Sequence, residues 1–60
     1  MSLNTAITEA LMRAHAAAGN TQAVETVYRA HAEGLDRILN ADPEDSTSGL
    51  YRDLAPTRAR

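Results

Sequence analysis

Two histidines, two of the three serines and a short acidic run are the residues of this 60-residue chain whose chemistry could reach beyond folding. A metal site on one helix needs a second ligand three or four positions from the first. Around His31 those positions hold Val27, Tyr28, Gly34 and Leu35, and around His15 they hold Leu11, Met12, Ala18 and Gly19. None of these is a usual ligand. The histidines do not meet across a hairpin either. With a turn near Asn20, His15 falls level with about residue 25 and His31 with about residue 9, an offset of roughly 9 Å at 1.5 Å per residue. No metal site is expected.

Catalytic constellations are equally absent. Ser46 and Ser48 lie where a helix cap or first turn would use a hydroxyl for structural reasons. There is no glycine-rich phosphate loop, nucleophile elbow or HExxH pair. Asp42, Glu44 and Asp45 resemble half a calcium loop, but the twelfth position from Asp42 is Asp53 rather than glutamate, and the ligand periodicity fails. Acidity at a helix start accounts for the run. No catalytic residue, cofactor or metal is therefore assigned, and the chain is not expected to be an enzyme.

Such a short chain makes one domain at most and buries only about 60% of its unfolded surface. It has no cysteine, so no disulfide or zinc site supplements the core. No apolar run approaches the roughly 20 residues of a membrane span, and no signal-peptide core is present at the start. These features favour a cytoplasmic protein that does not engage a membrane. The formal net charge of −2 gives nucleic acid no general reason to bind. All six basic residues are arginines, and only Arg52, Arg58 and Arg60 fall near one another, beside Pro56. Phe, Trp and Cys are absent while alanine abounds, a composition suited to closely packed helices rather than to a sheet.

Periodicity then predicts three helices. The first spans about 5–18 with Asn4 or Thr5 as its N-cap, and Leu3, Ile7, Leu11, Ala14 and Ala18 share one stripe. Gly19 supplies a C-terminal cap, Asn20 or Thr21 caps the next helix, and the short connection makes the two antiparallel. The second helix, about 22–39, carries Val24, Val27, Tyr28, His31, Leu35, Ile38 and Leu39 within roughly 120°. Its solvent face bears an i,i+4 ladder of Glu25, Arg29, Glu33 and Arg37, each link worth about 0.2–0.5 kcal/mol. Asn40 tolerates the left-handed cap conformation, and Asp42 or Asp45 caps a third helix with Thr47, Leu50, Tyr51 and Leu54 on one face. Gly49 inside that helix reads as a place for close backbone approach. Residues 1–4 read as an extension or expression remnant, 5–55 as a single helical domain and 56–60 as a disordered tail.

The segments LMRAHAAAGN, Tyr28-Arg29, LNADPED and GLYRDL, in that order and spacing, resemble the bacterial transcriptional activator domain. This is the helical, tetratricopeptide-repeat-like domain of actinobacterial antibiotic-regulatory and related signalling proteins. The resemblance runs without a gap from about Ala10 to Leu54. It implies an all-α three-helix fragment: an antiparallel helical hairpin plus a shorter third helix. Gly19 would sit at the inter-helix turn, Tyr28 in the aromatic slot of the second helix, Asn40 in place of a cap glycine, and Leu50-Tyr51 as anchors of the third. His15 and His31 replace aromatic or aliphatic residues of the pattern, and Gly34 and Gly49 replace better helix formers. The family's winged-helix DNA-binding domain would lie N-terminal to this region, so DNA binding does not carry over.

The function expected is non-catalytic: protein–protein interaction or oligomerisation in transcriptional regulation. Helical repeats bury their faces by stacking on neighbours, so this unit would leave an apolar face for a second copy, as a homodimer, or for adjacent repeats of a longer parent. Leu11, Tyr28, His31, Leu35 and Tyr51 are the interface candidates. His31 is either a core histidine satisfied by a polar neighbour or an interface residue making association respond to pH near neutrality. The competing function is a free-standing small regulator that contacts nucleic acid, or a protein bound to it, through Arg52, Arg58 and Arg60.

Overall fold

The computed structural model describes residues 3–54, with side chains from Asn4 onward. It contains three helices in chain order: α1 (Leu3–Ala17), α2 (Thr21–Leu39) and α3 (Asp45–Leu54). Among the described residues there is no strand. The fold is all-α, as expected. Helices α1 and α2 form an antiparallel hairpin with the largest shared interface, and α3 lies against both. The expected tail at 56–60, with Pro56, Arg58 and Arg60, lies outside the described residues, as do Met1 and Ser2.

The punctuation is local and physical. Gly19 adopts φ +78°, the left-handed region where a side chain is strained. The amide of Asn20 then reaches back to the His15 carbonyl at 2.9 Å, and that of Gly19 to Ala16 at 3.0 Å, which closes α1 in a Schellman turn. The Asn20 side chain caps α2 by accepting from the Ala23 amide at 3.2 Å. Asn40 takes φ 52°, ψ 45° and donates its amide to the Asp36 carbonyl at 3.0 Å, ending α2 in place of a glycine.

Two helix starts and one glycine differ from expectation. Helix α1 already begins at Leu3, so Asn4 and Thr5 lie inside it rather than capping it, and Leu3 and Asn4 belong to the helix rather than to an extension. Neither Asp42 nor Asp45 caps α3. Its first amide bond runs from Ser48 N–H to the Glu44 carbonyl at 3.0 Å, which puts Glu44 at the cap. Gly49 packs nothing closely, because a Cβ there would meet no atom within 4 Å.

The larger difference concerns which face α1 turns inward. Thr5, Thr8, Glu9 and Met12 are its buried residues, at i, i+3, i+4 and i+7. The expected stripe lies roughly 140° away, at 100° per residue. Ile7 and Leu11 remain 49% and 45% exposed, and Ala14 and Ala18 are exposed too. The Leu3 side chain lies outside the described residues. On α2 the expected stripe holds for Val24, which is buried, and for Val27, Tyr28, His31 and Leu35, which are half-buried. It fails at the last turn, where Ile38 and Leu39 are 76% and 66% exposed, because α2 outruns α1. Of the charge ladder, only Arg29–Glu25 closes, at 2.6 Å. On α3, Thr47 is buried and Leu50, Tyr51 and Leu54 are half-buried, as the spacing implied.

Candidate functional site

Two features of this hairpin carry chemistry, and each is built from a face that the helical spacing creates. The first is a polar junction where the three helices meet. Glu9 projects from α1 towards the N-terminal turn of α3, and only 6% of it is exposed. Its Oε2 accepts hydrogen bonds from Thr47 Oγ1 at 2.8 Å and from Ser46 Oγ at 3.0 Å. The Thr47 hydrogen bond is the main force holding the Glu9 carboxyl below its ordinary range. Burial opposes it, while the Ser46 bond and the charges of Arg13 and His31 add to it. Glu9 is therefore a carboxylate at neutral pH. A carboxylate near the start of a helix is also favoured by the backbone dipole.

The same junction holds His31. Its Nδ1 lies 3.2 Å from Thr8 Oγ1, across the hairpin, so His31 is level with residue 8 as the turn geometry implied. Its Nε2 is shielded from solvent and has no hydrogen-bond partner among the described residues. A buried polar atom left unpaired costs about 1–3 kcal/mol, so the imidazole is held by packing rather than by full satisfaction. One turn earlier on the same face of α2, Tyr28 stacks on Tyr51 with ring centroids 4.2 Å apart and planes 7° from parallel. The Tyr28 hydroxyl lies 3.1 Å from Ser48 Oγ. These contacts tie α3 to α2.

The second feature is an uncovered apolar face. Asn4, Ala30, His31, Gly34, Leu35, Ile38 and Leu39 line an open groove of about 300 Å³ containing no Asp, Glu or Arg. A Cβ at Gly34 would meet nothing within 4 Å, so its missing side chain leaves that stretch of the groove open. Asn4 links the groove to Ile7 and Leu11, which follow it at i+3 and i+7 on the outside of α1. Single exposed apolar residues are ordinary, but a contiguous row marks a contact surface. A larger depression of about 410 Å³, lined by Ala32, Glu33, Asp36 and Arg37, lies on the charged side of one helix and brings no other element's chemistry to bear.

The five interface candidates thus divide. Leu11 lies outside on α1, while His31 and Leu35 line the groove. Tyr28 and Tyr51 are brought together, but against each other. Sequence reasoning missed Ile7, Ile38 and Leu39 as exposed residues, and missed the Glu9–Ser46–Thr47 junction altogether. The signal for the junction was present in the regular spacing of Thr5, Thr8, Glu9 and Met12, which an apolar criterion passes over. Among the described residues, no group of three or more His, Asp or Glu side chains stands close enough to hold a metal ion. Nor is any helix among them long and apolar enough to cross a membrane. Comparison with protein-family models, with curated proteins and with solved structures found no match.

Proposed function

We propose that this chain is a non-catalytic protein–protein interaction module that pairs with a second copy of itself. In the setting its sequence resembles, it would serve cytoplasmic transcriptional regulation as part of a bacterial transcriptional activator domain, where adjacent repeats of a longer parent would take the same surface. The observation that carries this reading is the uncharged groove of Asn4, His31, Leu35, Ile38 and Leu39, together with Ile7 and Leu11 exposed at i+3 and i+7 from Asn4 along α1. An isologous pair needs such a self-complementary patch on one side of the molecule. The small residues Ala30 and Gly34 let another helix approach closely, and no like charges meet in the groove. Tyr28 and Tyr51 act in this arrangement by holding α3 in place, so the contact rests on Leu11, His31 and Leu35 together with Ile7, Ile38 and Leu39.

Concentration-dependent methyl NMR tests the surface directly. Raising the protein from low to high micromolar concentration shifts the methyl signals of Ile7, Leu11, Leu35, Ile38 and Leu39. Those of the fully buried Met12 and Val24 stay fixed. Spectra that do not change with concentration, or that shift only at Leu50 and Leu54 of α3, would overturn the assignment.

A further inference from the structure

We propose that α3 is an acid-released latch, held on the α1–α2 hairpin by the ionised Glu9 carboxylate and set free when that carboxylate takes up a proton. Helix α3 has ten residues, fewer than the roughly 12–15 that make an isolated helix even marginal in water. It must therefore be held by what it docks against. Its one fully buried residue is Thr47, and the hydroxyl of Thr47 is spent on Glu9 Oε2 at 2.8 Å. Ser46 donates to the same oxygen at 3.0 Å. Further ties among the described residues are the Tyr28–Tyr51 stack, the Tyr28–Ser48 hydroxyl pair and the half-buried Leu50 and Leu54. The carboxylate thus accepts from two side chains of the first turn of α3, and a protonated carboxyl accepts far more weakly.

The groups around Glu9 set the sign. Arg13 faces it from α1 and His31 from α2, and both act to keep it charged, while α3 brings the hydroxyls of Ser46 and Thr47. Docking holds the carboxyl below its ordinary range, so the docked state is the one that favours ionisation. The stabilisation of α3 is complete above the ordinary glutamate pKa of about 4.3 and is lost as the pH falls through it towards the lower, docked value. Removing His31 takes away a charge that helps to keep Glu9 ionised, so release then begins at a higher pH.

The chain supplies its own probe. Tyr28 and Tyr51 are its only aromatic residues, so the near-ultraviolet circular dichroism of the intact protein reports their stack, and with it the docking of α3. The experiment is a titration from pH 7 to 3, following that tyrosine band and the far-ultraviolet helix signal together. The tyrosine band collapses below about pH 4.3 while the helix signal falls by no more than the share of α3. Glu9→Gln removes the acid step from the tyrosine band, and His31→Gln moves it to higher pH. Hydrogen exchange on the wild-type chain gives an arm that needs no variant to fold. On acidification from pH 6 to 3 the amides of 45–54 lose protection severalfold, up to about twentyfold, corrected for intrinsic rates, while those of 21–39 keep theirs. Tyrosine and helix signals falling together, an acid step that survives in a folded Glu9→Gln, or equal loss of protection in both segments would each overturn the latch.

Discussion

Leu11 and Met12 are neighbours in the chain and both are apolar, yet Met12 is fully buried and Leu11 is 45% exposed. The difference follows from which face of α1 the hairpin uses, and it makes a direct test at the residue scale. Met12→Ala opens a cavity between packed helices and costs about 2–5 kcal/mol. Leu11→Ala, although it removes a side chain of similar size, costs under about 0.5 kcal/mol in the isolated chain, as surface changes do. Urea denaturation of the two variants at low concentration measures the contrast, and equal losses would put α1 in the wrong rotation. This choice of face was hard to read because two stripes of helical period coexist on α1. One is apolar and obvious. The other, Thr5–Thr8–Glu9–Met12, is mostly polar and becomes intelligible only once Ser46, Thr47 and His31 are seen to bond to it.

At the scale of elements, caps and turns were the most legible features, because their causes are local. Gly19, Asn20 and Asn40 each need only their own backbone angles and a neighbouring amide or carbonyl. The start of α3 was less legible because an acidic run offers several carboxylates that could cap, and a carboxylate from α1 instead meets its first turn. Asn20→Ala removes the acceptor for the Ala23 amide and lowers stability by about 1 kcal/mol in thermal unfolding. Gly49 and Gly34 separate two consequences of the same change. Each sits in a helix with open space at its Cβ position, so alanine at either stabilises the folded chain by up to about 1 kcal/mol. At Gly49 nothing else follows. At Gly34 the new methyl group projects into the apolar groove, so Gly34→Ala raises the melting temperature at low concentration and weakens association at high concentration. A Gly34→Ala chain that associates as tightly as the wild type would remove close helix approach from the account.

The whole molecule is a hairpin with one face covered by α3 and an apolar face left to solvent. Only Met12 and Val24 are fully buried apolar residues among those described, and the other buried side chains are the polar Thr5, Thr8, Glu9 and Thr47. A small domain has little apolar area to spare, and leaving Ile7, Leu11, Ile38 and Leu39 in water forgoes some of it. Covering them with a second chain recovers that area, and this is the central claim. Sedimentation velocity of the wild-type chain from about 1 to 500 µM, beside the double variant Leu11→Asp/Ile38→Asp, tests it most directly, in a range where weak interfaces of this kind come apart. The account predicts a wild-type mass that rises from one chain to two across the series, and a variant that stays helical and at one chain throughout. A wild-type chain that remains a monomer at the highest concentration, or a variant that still pairs, would contradict it.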